Sequence, residues 1–251
     1  MKIVIIGAGS VGTNLHHAFE LKGIKTELVH ARPLTADPSA VETVPSADVY
    51  IYTVVDHVLQ EVVSLINAPR ALHLHTSGSM PISVFGEDKP HAGVLYFFQS
   101  FSREVLIDDW SSIPCIIEGR NIDDVAAIYS LALTLTSRIY EAEQHDRERL
   151  HVAGIFANNY TNLMYRIAAD VLKNTQIPFQ ALLPLIDQTA AKVHTLAPKD
   201  AQTGPAQRGD HQVIKHHLEI LAATPYASLY QELAALIEKE RSCPNPTREL
   251  Q

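Results

Sequence analysis

The chain begins with an apolar run, Ile3 to Ile6, that breaks into Gly7-Ala8-Gly9-Ser10-Val11-Gly12 and resumes with helical spacing. Three glycines so placed between a strand and a helix leave few folds open. The first permits a tight turn, the second lets a ligand approach the backbone, and the third lets the helix pack closely on the strand. Amides of Ser10, Val11 and Gly12 then open the helix without partners, an arrangement that suits phosphate groups. In this context the pattern reads as a dinucleotide-binding turn. The alternative is a bare strand-to-helix turn with no ligand.

Further short runs rich in Val and Ile recur at 25–30, 48–55, 71–75, 92–98 and 114–119, and they predict strands. Helical spacing predicts helices over Val11–Leu21, His57–Ile66 and Ile122–Leu135 between them. Strand and helix therefore alternate, as in a doubly wound, mostly parallel sheet covered on both faces. Residues 31–46, rich in Pro, Ala and Ser, predict no regular helix, so one crossover is expected to be shortened.

After the run SRIYEA (137–142) no strand-like stretch survives. The expected division is a Rossmann domain over 1–143 and an all-α domain over 144–251. Phe156, Tyr160, Leu163, Met164, Ile167 and Val171 form the apolar stripe of a helix from about Asp146 to Lys173. Pro184 sits too far inside the next helical pattern to be silent, and predicts a kink or a late start. Helices follow over 210–221 and 227–240, and the polar tail from Cys243 to Gln251 is expected to be unstructured.

Composition narrows the partners. With 28 acidic against 20 basic residues the formal charge is −8, and no Lys/Arg block occurs, so nucleic acid and anionic membranes are not expected partners. No run has the length of a membrane span, and Cys115 and Cys243 make neither a CxxC motif nor a disulfide framework. A cytoplasmic protein with a small-molecule ligand is expected. Among 13 histidines, His73 and His75 share one face of a strand, but no Cys or nearby carboxylate completes a metal set, so no metal is expected.

At the end of the second strand, where NAD-binding proteins place a carboxylate, the chain reads His30-Ala31-Arg32. Arg32 suits a 2′-phosphate and its guanidinium can stack on adenine, so NADP is the expected cofactor; the alternative is an ordinary solvated arginine. Motifs with polar residues also end three other strands: Val55 and Asp56, then Thr76, Ser77 and Gly78, then Tyr96, Gln99 and Ser100. In a parallel sheet these ends form one edge, the edge where such sheets bind ligands. Asp56 reads equally as a cap of the helix beginning near His57, and Ser77-Gly78-Ser79 reads also as a simple turn. His151, Asn158 and Asn162, seven and eleven apart, make one polar strip on a helix, facing either an interdomain cleft or solvent. The loop TGPAQRGD (203–210) is either functional or a turn capped by Asp210.

Taken in order, GAGSVG, HTSGS, LYFFQSFS, HVAGIFANNYTNLMY and TGPAQRGD span nearly the whole chain, and with them the sequence resembles a family of bacterial Rossmann-like NADP oxidoreductases with a helical C-terminal domain of unknown function. That family is distantly similar to ketopantoate reductase and to the 3-hydroxyisobutyrate and 6-phosphogluconate dehydrogenases. The resemblance implies a nicotinamide beside Thr76, Ser77 and Gly78, a substrate between the domains near Gln99, Ser100 and Phe101, and a homodimer formed by the helical domain. Asn158 or Asn159 matches the active-site Asn of the dehydrogenases. Their catalytic Lys, four residues earlier, falls on Gly154 and Ile155 here. With that acid missing, His151 or Tyr96 is the candidate proton donor, and Asn159 and Asn162 are candidate substrate contacts. The expected activity is NADPH-dependent reduction of a small carbonyl or imine compound. The alternative is a non-catalytic NADP-binding sensor.

Overall fold

A computed structural model describes residues 1–242, so the expected unstructured tail from Cys243 lies outside the described residues. Two compact units make up the chain, Met1–Thr161 and a second from Asn162 onward. The first is built on a seven-stranded sheet of order β2-β1-β3-β4-β5-β6-β7. Its strands are β1 (Ile3–Ile6), β2 (Thr26–Val29), β3 (Val49–Tyr52), β4 (Leu72–His75), β5 (Ala92–Phe97), β6 (Cys115–Gly119) and β7 (Ile139–Glu141). β1 to β5 are mutually parallel. The connection from β5 to β6 carries no helix, so β6 returns antiparallel, with Phe97 opposite Cys115.

Burial on both faces explains the continuous apolar runs. Ile3 and Ile5 of β1 point to one side, where α1 (Ser10–Leu21) delivers Leu15 and Phe19; Val4 and Ile6 point to the other, where Leu59, Val62 and Val63 pack. Those three residues belong to α3 (Asp56–Leu65), after α2 (Ala31–Ala36) has closed the preceding crossover. The helix that follows β1 and the helix that follows β3 thus cover opposite faces. Between the carboxyl ends of these two neighbouring strands a crevice opens.

Residues 31–46 depart from the sequence expectation. They form α2 and a 3₁₀ turn over Pro38–Thr43, because Leu34 is buried beneath them and Asp37 caps the turn by accepting from the Ser39 amide at 3.0 Å. The last helix of the sheet layer is α4 (Ile122–Leu133), capped by Asn121.

The long helix expected from about residue 146 to 173 is present as three consecutive pieces: α5 (Gln144–Gly154), a π-helical turn (Ile155–Tyr160) and α6 (Thr161–Leu172). Residues 144–161 belong to the sheet unit, not to the helical one. In the second unit Pro184 gives a late start: a 3₁₀ turn (Phe179–Leu182) precedes α7 (Leu183–Lys192), which holds the proline in its first turn, where no amide is missed. Short helices α8 (Pro198–Ala201) and α9 (Pro205–Arg208) lead to α10 (His211–Leu221) and α11 (Ala227–Ser242). Asp210 caps α10 by accepting from the Val213 amide at 3.2 Å. No helix among the described residues is long and apolar enough to cross a membrane.

Beneath α3 the sheet buries His73 and His75 among Tyr50, Tyr52 and Phe85. His73 is satisfied as a neutral ring, with Tyr52 Oη 2.9 Å from Nδ1 and the Ala68 carbonyl 2.9 Å from Nε2. Burial lowers the pKa of His73, and drives that of His75 down to about 3. Both rings stay neutral in the folded chain while the unfolded chain protonates below about pH 6.5. Stability is therefore full above that pH and falls on acidification, by about 1.4 kcal/mol per pH unit for His75 alone. Urea unfolding at pH 7.5 and 5.0 is expected to show this slope in the unmodified protein, and a shallower one in His75→Phe.

Candidate functional site

The glycine turn is closed against β3. Gly7 adopts φ +121°, and a Cβ at Gly12 would lie 1.9 Å from the Gly7 carbonyl oxygen and 2.5 Å from Thr53 Oγ1. Thr53, directly after β3, donates its hydroxyl to that same Gly7 carbonyl at 2.6 Å, and its amide bonds the Ile6 carbonyl at 2.9 Å. Gly9 is different: the nearest heavy atom to a Cβ there is 3.8 Å away. As the residue before α1 it offers no side-chain cap, so the amides of the first turn face an open approach. A cradle tight at Gly7 and Gly12 and open at Gly9 fits a phosphate group. Arg32 lies in the first turn of α2, exposed and with no side-chain partner among the described residues; His30 immediately precedes that helix.

The other strand ends meet as expected for one edge. Asp56 is the first residue of α3, not its cap, and its carboxylate accepts from Ser79 Oγ at 2.7 Å. Val55 precedes it, exposed. Ser77 Oγ accepts from the amides of Ser79 and Met80, folding the loop after β4 back on itself, and Thr76 bonds the Tyr52 carbonyl. Asp56 thus joins the end of β3 to the loop after β4.

This loop brings Gly78 against both candidate proton donors. A Cβ on Gly78 would lie 2.7 Å from His151 Nδ1 and 2.9 Å from Tyr96 Cζ. Tyr96, near the end of β5, and His151, on α5, hydrogen bond to each other over 3.0 Å between Oη and Nδ1. Burial pushes the Tyr96 hydroxyl up to about 12, opposed by the nearby Arg147 cation. At neutral pH Tyr96 keeps its proton, and either group can donate in the Oη–Nδ1 bond according to the tautomer of His151.

Tyr96 and His151 line a cavity of about 420 Å³ together with Phe98, Gln99, Ser100, Gly154, Ile155, Ala157, Asn158 and Asn159. Gln99 turns its Oε1 to the Ser100 amide at 2.8 Å, which leaves its NH₂ group to donate elsewhere. The π-helical turn places both Asn158 and Asn159 on the cavity wall, and the Thr161 hydroxyl donates to the Phe156 carbonyl at 2.9 Å. Asn162 opens the second unit and is not part of this lining.

Three residues of the site carried no clear sequence signal. Thr53 hid inside an apolar run, its only mark a hydroxyl at the strand's end. Asn14, fully buried on α1, donates to the carbonyls of Ser10 (2.9 Å) and Ser102 (2.6 Å) and accepts from the Ile107 amide (3.0 Å), pinning the loop after β5. Arg147 lies in a highly charged helical stretch that reads as a solvated face, yet it is fully buried.

Gly154 and Ile155 are the positions that the sequence resemblance aligns with the dehydrogenase lysine, and Gly154 is tightly packed. A Cβ there would approach the Phe98 ring to 2.6 Å, and Phe98 in turn meets Tyr96 edge-on with centroids 6.1 Å apart. Phe98 therefore occupies the space that a side chain at 154 would need. Overpacking of this kind costs about 1–3 kcal/mol, so Gly154→Ala is expected to be destabilised by that amount in urea unfolding. Adding Phe98→Leu should recover most of the loss, a non-additivity that a double-mutant cycle reads directly.

Comparison with known proteins agrees with this fold. Residues 113–237 match the family model described as "Domain of unknown function (DUF2520)". No curated protein matches the sequence. Among solved structures, a "putative NADP oxidoreductase" from Bacteroides fragilis is 38% identical, with a TM-score of 0.84 over 95% of this chain and 98% of that one. A protein from Thermotoga maritima is 19% identical, with a TM-score of 0.69 over 94% of this chain and 97% of that one. A reductive aminase from Aspergillus terreus, in complex with NADPH and ethyl levulinate, is 14% identical, with a TM-score of 0.66 over 95% and 92%; at that identity it shares the fold alone. With more than a third of its residues identical over nearly the full length of both chains, the protein belongs to the same Rossmann-like family as the Bacteroides fragilis oxidoreductase.

Proposed function

We propose that the protein is an NADP(H)-dependent reductase of a small carbonyl or imine compound, with the hydrogen-bonded Tyr96–His151 pair as its proton source. The observation that carries this reading is the 3.0 Å bond between those two side chains, set against Gly78 on the edge that holds the glycine turn. The cradle at Gly7, Gly9 and Gly12, with the amides of Ser10 and Val11, would hold the pyrophosphate, and Arg32 the 2′-phosphate. The 38% identical Bacteroides fragilis structure, described as an NADP oxidoreductase, supports the same cofactor. Val55, Asp56, Thr76, Ser77 and Gly78 would border the nicotinamide end, and NADPH bound there supplies the hydride.

The reduced oxygen or nitrogen also needs one proton. Tyr96 donates its hydroxyl proton to that atom, and the phenolate left behind is reprotonated through His151, which draws the replacement proton from solvent, so the two act as one relay. The Gln99 NH₂ group and the Asn158 and Asn159 carboxamides orient the reacting atom, and Ser100 completes the polar wall. The Phe98 ring and Ile155 form the apolar part of the same wall.

Following NADPH oxidation with a panel of 2-oxo acids, aldehydes and cyclic imines tests the proposal. His151→Ala and Tyr96→Phe are each expected to lower kcat by roughly 10²- to 10⁴-fold, with NADPH binding retained. The double variant should be little worse than either single one, because both remove the same proton. NADH should bind more weakly than NADPH, and Arg32→Ala should weaken NADPH by about one to two orders of magnitude while sparing NADH. A full-rate double variant, or equal binding of the two cofactors, would overturn the assignment.

We also propose that the second unit forms a homodimer. Met164, Ile167, Val171, Ile220, Leu229 and Leu233 line an almost wholly apolar groove of about 330 Å³. Ile220, Val171, Leu233 and Leu236 remain 60%, 41%, 41% and 52% exposed, more apolar surface than one helical unit of this size leaves bare without a partner. Light scattering at micromolar concentration should give twice the 27.7 kDa chain mass; the single-chain mass would refute the dimer.

A further inference from the structure

Arg147 is fully buried, and its guanidinium joins three elements. One terminal nitrogen pairs with the Glu118 carboxylate on β6, and the other donates to the Met80 carbonyl at 2.6 Å. Nε has no partner among the described residues. Met80 ends the loop that carries Gly78, and its amide is itself held by Ser77 Oγ at 3.0 Å. Glu118 faces Val94 across the β5–β6 ladder, two residues before Tyr96 and so on the same side of the strand. Arg147 itself stands one turn before His151 on α5. A single side chain therefore ties together the helix bearing His151, the loop bearing Gly78 and the strand beside the one bearing Tyr96.

A buried ion pair adds little net stability, because desolvation of both charges offsets their attraction. What this one supplies is register. We propose that Arg147 is the positioning residue of the site: by clamping α5 to Glu118 and to the Met80 carbonyl, it sets the contact between Tyr96, His151 and Gly78 without touching substrate. Its charge is felt at both neighbouring rings. It opposes the upward push of burial on the Tyr96 hydroxyl, and it adds to the downward push of burial on His75.

This inference rests on the Tyr96–His151 pair acting as proton source, but its first readout needs neither cofactor nor turnover. In ¹⁵N-histidine spectra of the full-length protein, with the His151 signal assigned by His151→Asn, the unmodified chain should show a single tautomer of His151, fixed by the bond to Tyr96. Arg147→Met should mix the two tautomers as Tyr96→Phe does, and Arg147→Lys should keep most of the native signature. In NADPH oxidation, Arg147→Met should lower kcat by about 10²-fold, the cost of an ångström-scale misplacement, while the Kd for NADPH stays within about twofold. If Arg147→Met does not fold, Glu118→Gln carries the same comparison, with a smaller tautomer shift expected because the bond to Met80 remains. A folded variant with native His151 tautomer and native kcat overturns the proposal, as does a loss of kcat that disappears on cooling below the variant's melting range. A protein inactive on every substrate, whose His151 tautomer still shifts in Arg147→Met, would refute the reductase reading and leave the positioning role standing.

Discussion

The organisation of the first unit depends on one close contact, the approach of α1 to the end of β3 at Gly12. No side chain fits there, since a Cβ would lie 1.9 Å from the Gly7 carbonyl oxygen. Thr53 locks that carbonyl with a 2.6 Å hydrogen bond, so the turn after β1 and the end of β3 form one rigid piece. Because α1 then covers one face of the sheet and α3 the other, the first-turn amides of α1 are left facing the crevice between the two strands. Interiors packed to this density transmit small changes, so a methyl group at residue 12 would be felt at Gly7, Thr53 and the cradle together.

From that crevice the site extends along the sheet by a chain of short polar contacts. Asp56 holds Ser79, Ser77 holds Met80, and Gly78 is left in contact with Tyr96 and His151. The first link joins the end of β3 to the loop after β4, the second folds that loop on itself, and the third brings it against Tyr96 near the end of β5. The antiparallel return of β6 then presents Glu118 to Arg147, and this is how a helix that follows the last strand comes to supply a site residue. Charge is used sparingly on this edge. The lining of the Tyr96–His151 cavity holds no Asp, Glu, Lys or Arg, and its carboxamides, hydroxyls and imidazole can orient a neutral polar group as well as an anion.

Gly154, one of the two positions that the sequence resemblance aligns with a dehydrogenase lysine, is kept small by packing inside the same cavity. With the Phe98 ring 2.6 Å from where a Cβ would point, a side chain at 154 would have to displace that ring. Tyr96, edge-on to that ring, and His151, one turn before Gly154, are the candidate proton donors on the same wall.

What the sequence by itself determined is whatever depends on local pattern. Short apolar runs marked six of the seven strands to within a few residues, β7 being the one not predicted; helical spacing marked the main helices, and the three glycines marked the turn. The polar strand ends at Asp56, Thr76 to Gly78, and Gln99 were legible because a parallel sheet brings such ends to one edge whatever the rest of the chain does. Only the tertiary structure decided what depends on partners distant in sequence. Tyr96 and His151 stood as rival donors until folding placed them 3.0 Å apart. The π-helical turn, which adds Asn159 to the cavity wall, breaks the 3.6-residue period from which a strip of His151, Asn158 and Asn162 was expected. Arg147 reads as one more charge on a solvated helix; it is buried because Glu118, 29 residues earlier, and the Met80 carbonyl, 67 residues earlier, converge on it. Periodicity records which face of an element is apolar, but a buried charge is tolerated only where partners from other elements meet it, and that convergence is a property of the folded chain.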